Sequence, residues 1–169
     1  MLAGRRRPVW LVAALTVLTL GLYLPIWFGL TAAEMRRETD DRRLSPLGNA
    51  LGALVPGLNA WIAWRHFGAI DRLLERGSRG HVDGTSAAIG IVIWWLTFTH
   101  YSSDPLFVAL DAIELGAGTA VVSYGQRALN RYWATQGAEE RLVETDVIAL
   151  AAAATYALFT IFAFLSAGT

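Results

Sequence analysis

Residues 5–30 read RRRPVWLVAALTVLTLGLYLPIWFGL: three arginines and a proline, then an apolar run from Val9 to Leu30 without a charge. Uncharged apolar runs of about 18 residues or more are membrane-segment candidates, and basic residues ahead of one mark a signal anchor or signal peptide. A cleavable signal has a small-residue site after its apolar run. Gly21 to Leu30 offers no good site, so the segment is expected to be retained. Gly21 and Pro25 interrupt it. Proline lacks a backbone donor and clashes with the preceding turn, which predicts a kink or a stop near Tyr23.

Four more apolar stretches follow, at about 46–64 (opening at Leu44), 85–103, 105–124 and 146–167. At about 20 residues per crossing, five segments take up about 100 positions. In a 169-residue chain that excludes a large soluble domain. Charged residues make up 17% of the chain, against about 25% in soluble domains. The composition therefore predicts an all-α, polytopic helical membrane protein with short amphipathic interfacial helices. The 14 bases, all Arg, cancel 14 acids, so nothing favours a nucleic-acid partner. Cysteine is absent, which removes disulfides and thiol chemistry.

The second segment carries Pro46, Pro56, Gly57, Asn49 and Asn59, and Pro56-Gly57 is expected to break its helix midway. Gly48-x-x-x-Gly52 within it is a small-residue spacing that lets another helix approach. Between segments, Thr31–Arg43 reads as a short exposed helix with Glu38 and Arg42 screening each other. In Arg65–Gly77, Phe67, Ile70, Leu73 and Leu74 recur at helical spacing, which fits a helix lying in the interface plane or a packed cytosolic one. Tyr132 and Trp133 sit where headgroup-level aromatics are expected.

Arginine collects on the cytoplasmic side. Five full crossings with the N-terminus inside leave ten of the 14 Arg inside and strand the four of Thr31–Arg43 outside. A second arrangement lets the first two segments dip in and return, at Gly21–Pro25 and at Pro56-Gly57, which puts every Arg inside. A weak repeat favours it: Trp27 is followed by Glu34 and Glu38, and Trp64 by Asp71 and Glu75, at the same spacings. Both arrangements place the protein in the cytoplasmic membrane with a cytoplasmic N-terminus.

Thr19-x-Gly21-Leu22-Tyr23, followed by Trp27, and the later Gln126-x-x-Leu129-Asn130-Arg131-x-Trp133 together resemble a family of small prokaryotic multi-pass membrane proteins, defined as a domain of unknown function. The likeness covers about residues 5–134. It implies a membrane domain over 1–134, followed by a linker and a C-terminal transmembrane helix over 135–169. It brings no catalytic residues. The chain departs from the family pattern at Leu24 and Pro25.

Asp111 and Glu114 are three apart, on one face of the fourth segment. Acids near the middle of a membrane helix are costly and usually face a cavity or partner. They suggest a small ion or proton pathway, with His100 and Asp104 towards one end. The preferred reading of the acids themselves is plainer: Pro105–Leu115 as an interfacial helix with an acidic outer face, since Asp104, Asp111 and Glu114 fall on one side. Asn49, Asn59 and Asn130 are expected to bond helix to helix. His66, Asp71, His81 and Asp83 fit no metal-ligand spacing, so no metal and no cofactor is expected. Ser123 lacks the setting of a nucleophile elbow. The leading expectation is a non-enzymatic membrane scaffold or partner-binding subunit, associating with itself or another membrane protein. The alternative is the ion or proton pathway through Asp111 and Glu114, and a membrane enzyme comes third.

Overall fold

A computed structural model describes residues 4–77, 80–96 and 104–167, and among them all regular structure is helical. The first apolar segment is not one helix. Helix α1 (Val9–Leu18) ends in a tight turn, and α2 (Tyr23–Thr39) runs back beside it. Gly21 N–H donates to Thr16 O at 2.7 Å and Leu20 N–H to Val17 O at 3.0 Å, the paired bonds of a Schellman helix end. Leu20 (φ 50°) and Gly21 (φ 88°) both lie in the left-handed region. Thr19 fastens the turn from both sides: its hydroxyl donates to Leu15 O at 2.7 Å and accepts from Tyr23 N at 2.9 Å. The expected stop at Tyr23 thus becomes a helix start. Pro25 falls in the first turn of α2, where its missing N–H has no helical partner to lose.

The second segment folds in the same way. Helix α3 (Pro46–Ala53) is capped by Ser45, whose hydroxyl accepts from Gly48 N, and has Pro46 in its first turn. The break at Pro56-Gly57 separates it from α4 (Leu58–Gly77), and Gly57 takes φ 77°. Helix α5 (Gly84–Leu96) starts on the Asp83 carboxylate, which accepts from Thr85 N and Ser86 N. Helix α6 (Pro105–Thr135) is capped by Asp104, and α7 is Glu144–Ala167. Residues 97–103 of the expected third span, His100 among them, lie outside the described residues.

The two hairpins return their ends to one level. Arg7 bonds Glu34, Arg65 reaches Arg43 O, Tyr132 reaches Glu38, Arg6 pairs with Glu140 and Arg5 with Asp146. These contacts tie Thr31–Arg43 to the N-terminus and to the other Arg-bearing segments. Among the described residues two helices, Pro105–Thr135 and Glu144–Ala163, are long and apolar enough to cross a bilayer.

Several local expectations change. The charged stretch after Thr31 continues α2, which stops at Asp40 in the left-handed conformation, so Arg42 never comes into helical register with Glu38. Phe67, Ile70, Leu73 and Leu74 are buried within the protein, as in a packed helix. Tyr132 and Trp133 also turn inward, and Trp10, Trp61 and Trp64 are the exposed indoles instead. Of the glycine pair, only Gly52 meets a neighbouring helix, against Ile62; Gly48 is exposed and faces its own cap, Ser45.

Candidate functional site

The centre of the molecule is a polar network at helix crossings. Arg7 and Glu34 form a two-pronged ion pair, with N···O distances of 3.1 and 2.6 Å, and the two residues are only 5% and 4% exposed. Asn130 donates to the Arg7 carbonyl at 2.6 Å and accepts from Gln126 Nε2 at 2.8 Å. Gln126 in turn accepts from the Trp27 indole N–H at 2.9 Å. The chain of bonds thus links the segment before α1 with α2 and α6. It fits because Gly125 lets Trp27 lie on α6: a Cβ there would come within 2.5 Å of the ring.

A second branch holds His66. The Thr31 hydroxyl donates to Trp27 O at 2.7 Å, so its oxygen is left to accept from His66 Nε2–H at 3.0 Å. The other ring nitrogen, Nδ1, then accepts from Asn49 Nδ2 at 3.1 Å. Arg65 approaches Asn49 Oδ1 at 3.4 Å, which agrees with that amide orientation. The network assigns a neutral ring with its proton on Nε2. Burial, and secondarily the charge of Arg65, push the imidazole down to about 3. Around it pack Trp27 and Phe28, with ring centroids 5.6 and 4.8 Å away.

The stretches Thr19–Trp27 and Gln126–Trp133 therefore meet in space. Thr19 and Gly21 make the turn, and a Cβ on Gly21 would lie 2.1 Å from the Trp94 indole nitrogen. Tyr23 and Trp27 are buried along α2; Gln126, Leu129, Asn130 and Trp133 are buried along α6. Arg131 is exposed and passes over Gly80. Glu114 is buried and Asp111, on the preceding turn, half-buried. Asn49 bonds helix to helix as expected, from α3 to His66 of α4, whereas Asn130 bonds the segment before α1 and its own helix, and Asn59 accepts locally from Ala60 N. His66, Asp71, His81 and Asp83 do not converge: His81 pairs with Asp71 at 2.9 Å, Asp83 caps α5 and His66 lies within the core.

Sequence reasoning missed Arg7, Glu34 and His66. The signal was present in their spacing, since Trp27, Thr31 and Glu34 follow one stripe of α2, and Ile62, His66, Ile70 and Leu73 one stripe of α4. At the edge of the network Tyr132 O–H donates to Glu38 Oε1 at 2.7 Å. No protein-family model, no curated protein and no solved structure matches the chain.

Proposed function

We propose that the chain is a multi-pass protein of the cytoplasmic membrane, serving as a non-enzymatic scaffold or partner-binding subunit. The observation that carries this reading is the separation of charge from exposed apolar surface. The Arg-bearing segments share one level, while large apolar side chains such as Leu22, Leu51, Ile89, Val108, Leu158 and Phe162 are exposed along the rest of the helices. Contiguous exposed apolar surface marks a membrane or protein contact. In this arrangement the Arg level is cytoplasmic. The α1–α2 and α3–α4 hairpins dip in and return, and α5, α6 and α7 cross. Non-helical backbone at the hairpin tips is tolerable in a bilayer where protein covers it, and Trp94 against Gly21 and Trp95 on Leu54 O supply such cover.

The partner-binding part is supported by α7. It leans on α1, with Asp146 held by Arg5 and Ala153 buried, and leaves Leu158, Phe159, Ile161 and Phe162 exposed. Such a helix offers a lateral face to a helix of another subunit. The likeness to the small prokaryotic membrane family belongs to the same proposal, supported by the meeting of its two motif elements at Trp27 and Gln126.

The chain has no cysteine, so single Cys variants report topology cleanly. In intact cells Arg42→Cys should resist an impermeant maleimide until the membrane is opened, while Leu106→Cys should react from outside. Reaction of Arg42→Cys in intact cells would overturn the placement. A photo-cross-linking residue at Phe159 should give a discrete protein adduct, and lipid adducts alone would count against a partner there.

A further inference from the structure

A cavity of about 490 Å³ opens between α1, α2 and the N-terminal half of α7. Leu15, Leu22, Ile26, Leu30, Ala149 and Ala152 form its apolar walls, and Arg5, Arg7, Thr145 and Asp146 stand at its end nearest the Arg level. Arg5, Arg7 and Thr145 also line a second cavity of about 360 Å³, completed by Gly4, Glu34, Arg37 and Val143. A polar chamber thus adjoins an apolar one.

The charges in the polar chamber do not cancel. Arg5 is held by Asp146 and Arg7 by Glu34. Arg37 is exposed, and no hydrogen bond or ion pair holds it among the described residues. The chamber therefore carries one positive charge in excess, which suits a singly charged anion. The α7 wall from Thr145 to Tyr156 extends about 16 Å at 1.5 Å per residue. That is about half the thickness of the hydrocarbon core, the depth of one leaflet.

We propose that these joined cavities bind one anionic glycerophospholipid of the cytoplasmic leaflet. Its phosphate occupies the polar chamber beside Arg37, and an acyl chain lies between α2 and α7 along Ile26 and Ala152. The site rests on the membrane placement proposed above. A free phosphate would satisfy Arg37 but leave the apolar chamber unfilled, whereas a phospholipid matches both. It would also join α7 to the hairpin by filling the gap between them.

The test uses the full chain in neutral detergent, titrated with phosphatidylglycerol, phosphatidylcholine or inorganic phosphate and followed by native mass spectrometry. One phosphatidylglycerol per chain is expected to bind saturably, about tenfold more tightly than phosphatidylcholine, as one charge-assisted contact allows. Arg37→Gln should erase that preference. Ala152→Phe, at an exposed position, should block both lipids by filling the apolar chamber. Unchanged thermal unfolding of the two variants would show that the fold survives. Non-saturable binding, or equal lipid binding by the wild type and both variants, would overturn the site. So would inorganic phosphate binding that Ala152→Phe leaves untouched. A short-chain phosphatidylglycerol below its micelle concentration reads the pocket without a bilayer, while the Cys labelling reads membrane placement, so the two failures stay distinct.

Discussion

Glu34→Ala is expected to destabilise the detergent-solubilised protein by about 3–5 kcal/mol, the usual cost of removing one partner from a buried ion pair. Arg7 would then be left charged in a site where it is 5% exposed, with its guanidinium donors facing emptied space. For a chain of this size the unfolding midpoint should fall by on the order of 10 °C. The loss should be mostly relieved in the double variant Arg7→Met, Glu34→Leu, because apolar residues of similar volume often replace a buried pair at little net cost. The Asn130 bond to the Arg7 carbonyl survives in that double variant, since it uses main chain. A single variant as stable as the wild type would show that the pair is solvated after all.

Acid should weaken the fold through His66. The native ring is held neutral, pushed down to about 3, while in the unfolded chain it titrates at its ordinary value of about 6.5. Between those values the unfolded state takes up a proton that the native state refuses. Stability from this residue is therefore complete above about pH 6.5 and declines as pH falls towards 3. At pH 4 the loss reaches about 3 kcal/mol, at 1.36 kcal/mol per pH unit. Protonation at Nδ1 would also expel the Asn49 N–H that this nitrogen accepts. The measurement is the pH dependence of thermal unfolding for the wild type against His66→Gln, whose difference isolates the ring from the carboxylates that also titrate. Parallel curves from pH 7 to 4 would refute the neutral buried imidazole.

Glu34 and His66 show where the sequence stops being readable. The helix breaks were legible because they are local chemistry: Gly21 supplies a left-handed turn, and Pro56-Gly57 cannot continue a helix. Which way the chain goes after each break was not, because it is decided by contacts between distant residues. Arg7 and Glu34 look like solvent charges when read as members of an Arg run and an acidic stretch. Only their positions, one beside the start of α1 and one on the Trp27 stripe, reveal a shared interior. The spacing of Gln126, Asn130 and Trp133 has a physical reason: they lie on one face of α6, turned towards the protein interior, where Gln126 meets Trp27 and Asn130 meets Arg7. Tyr132 and Trp133 misled because aromatic residues beside polar ones fit a headgroup belt and a protein interior equally well. Polar side chains falling on an otherwise apolar helical stripe were the more reliable clue.

The bond from Asn130 to the Arg7 carbonyl has a consequence for biosynthesis. A nascent chain emerges from its N-terminus, so the first hairpin is made long before α6 exists. Until Asn130 and Gln126 leave the ribosome, the Arg7 carbonyl lacks the donor and the Trp27 indole the acceptor that they finally use. The early hairpin must wait in an unfinished state, and translation that stalls before α6 leaves a fragment with its polar interior bare, a substrate for quality-control proteases.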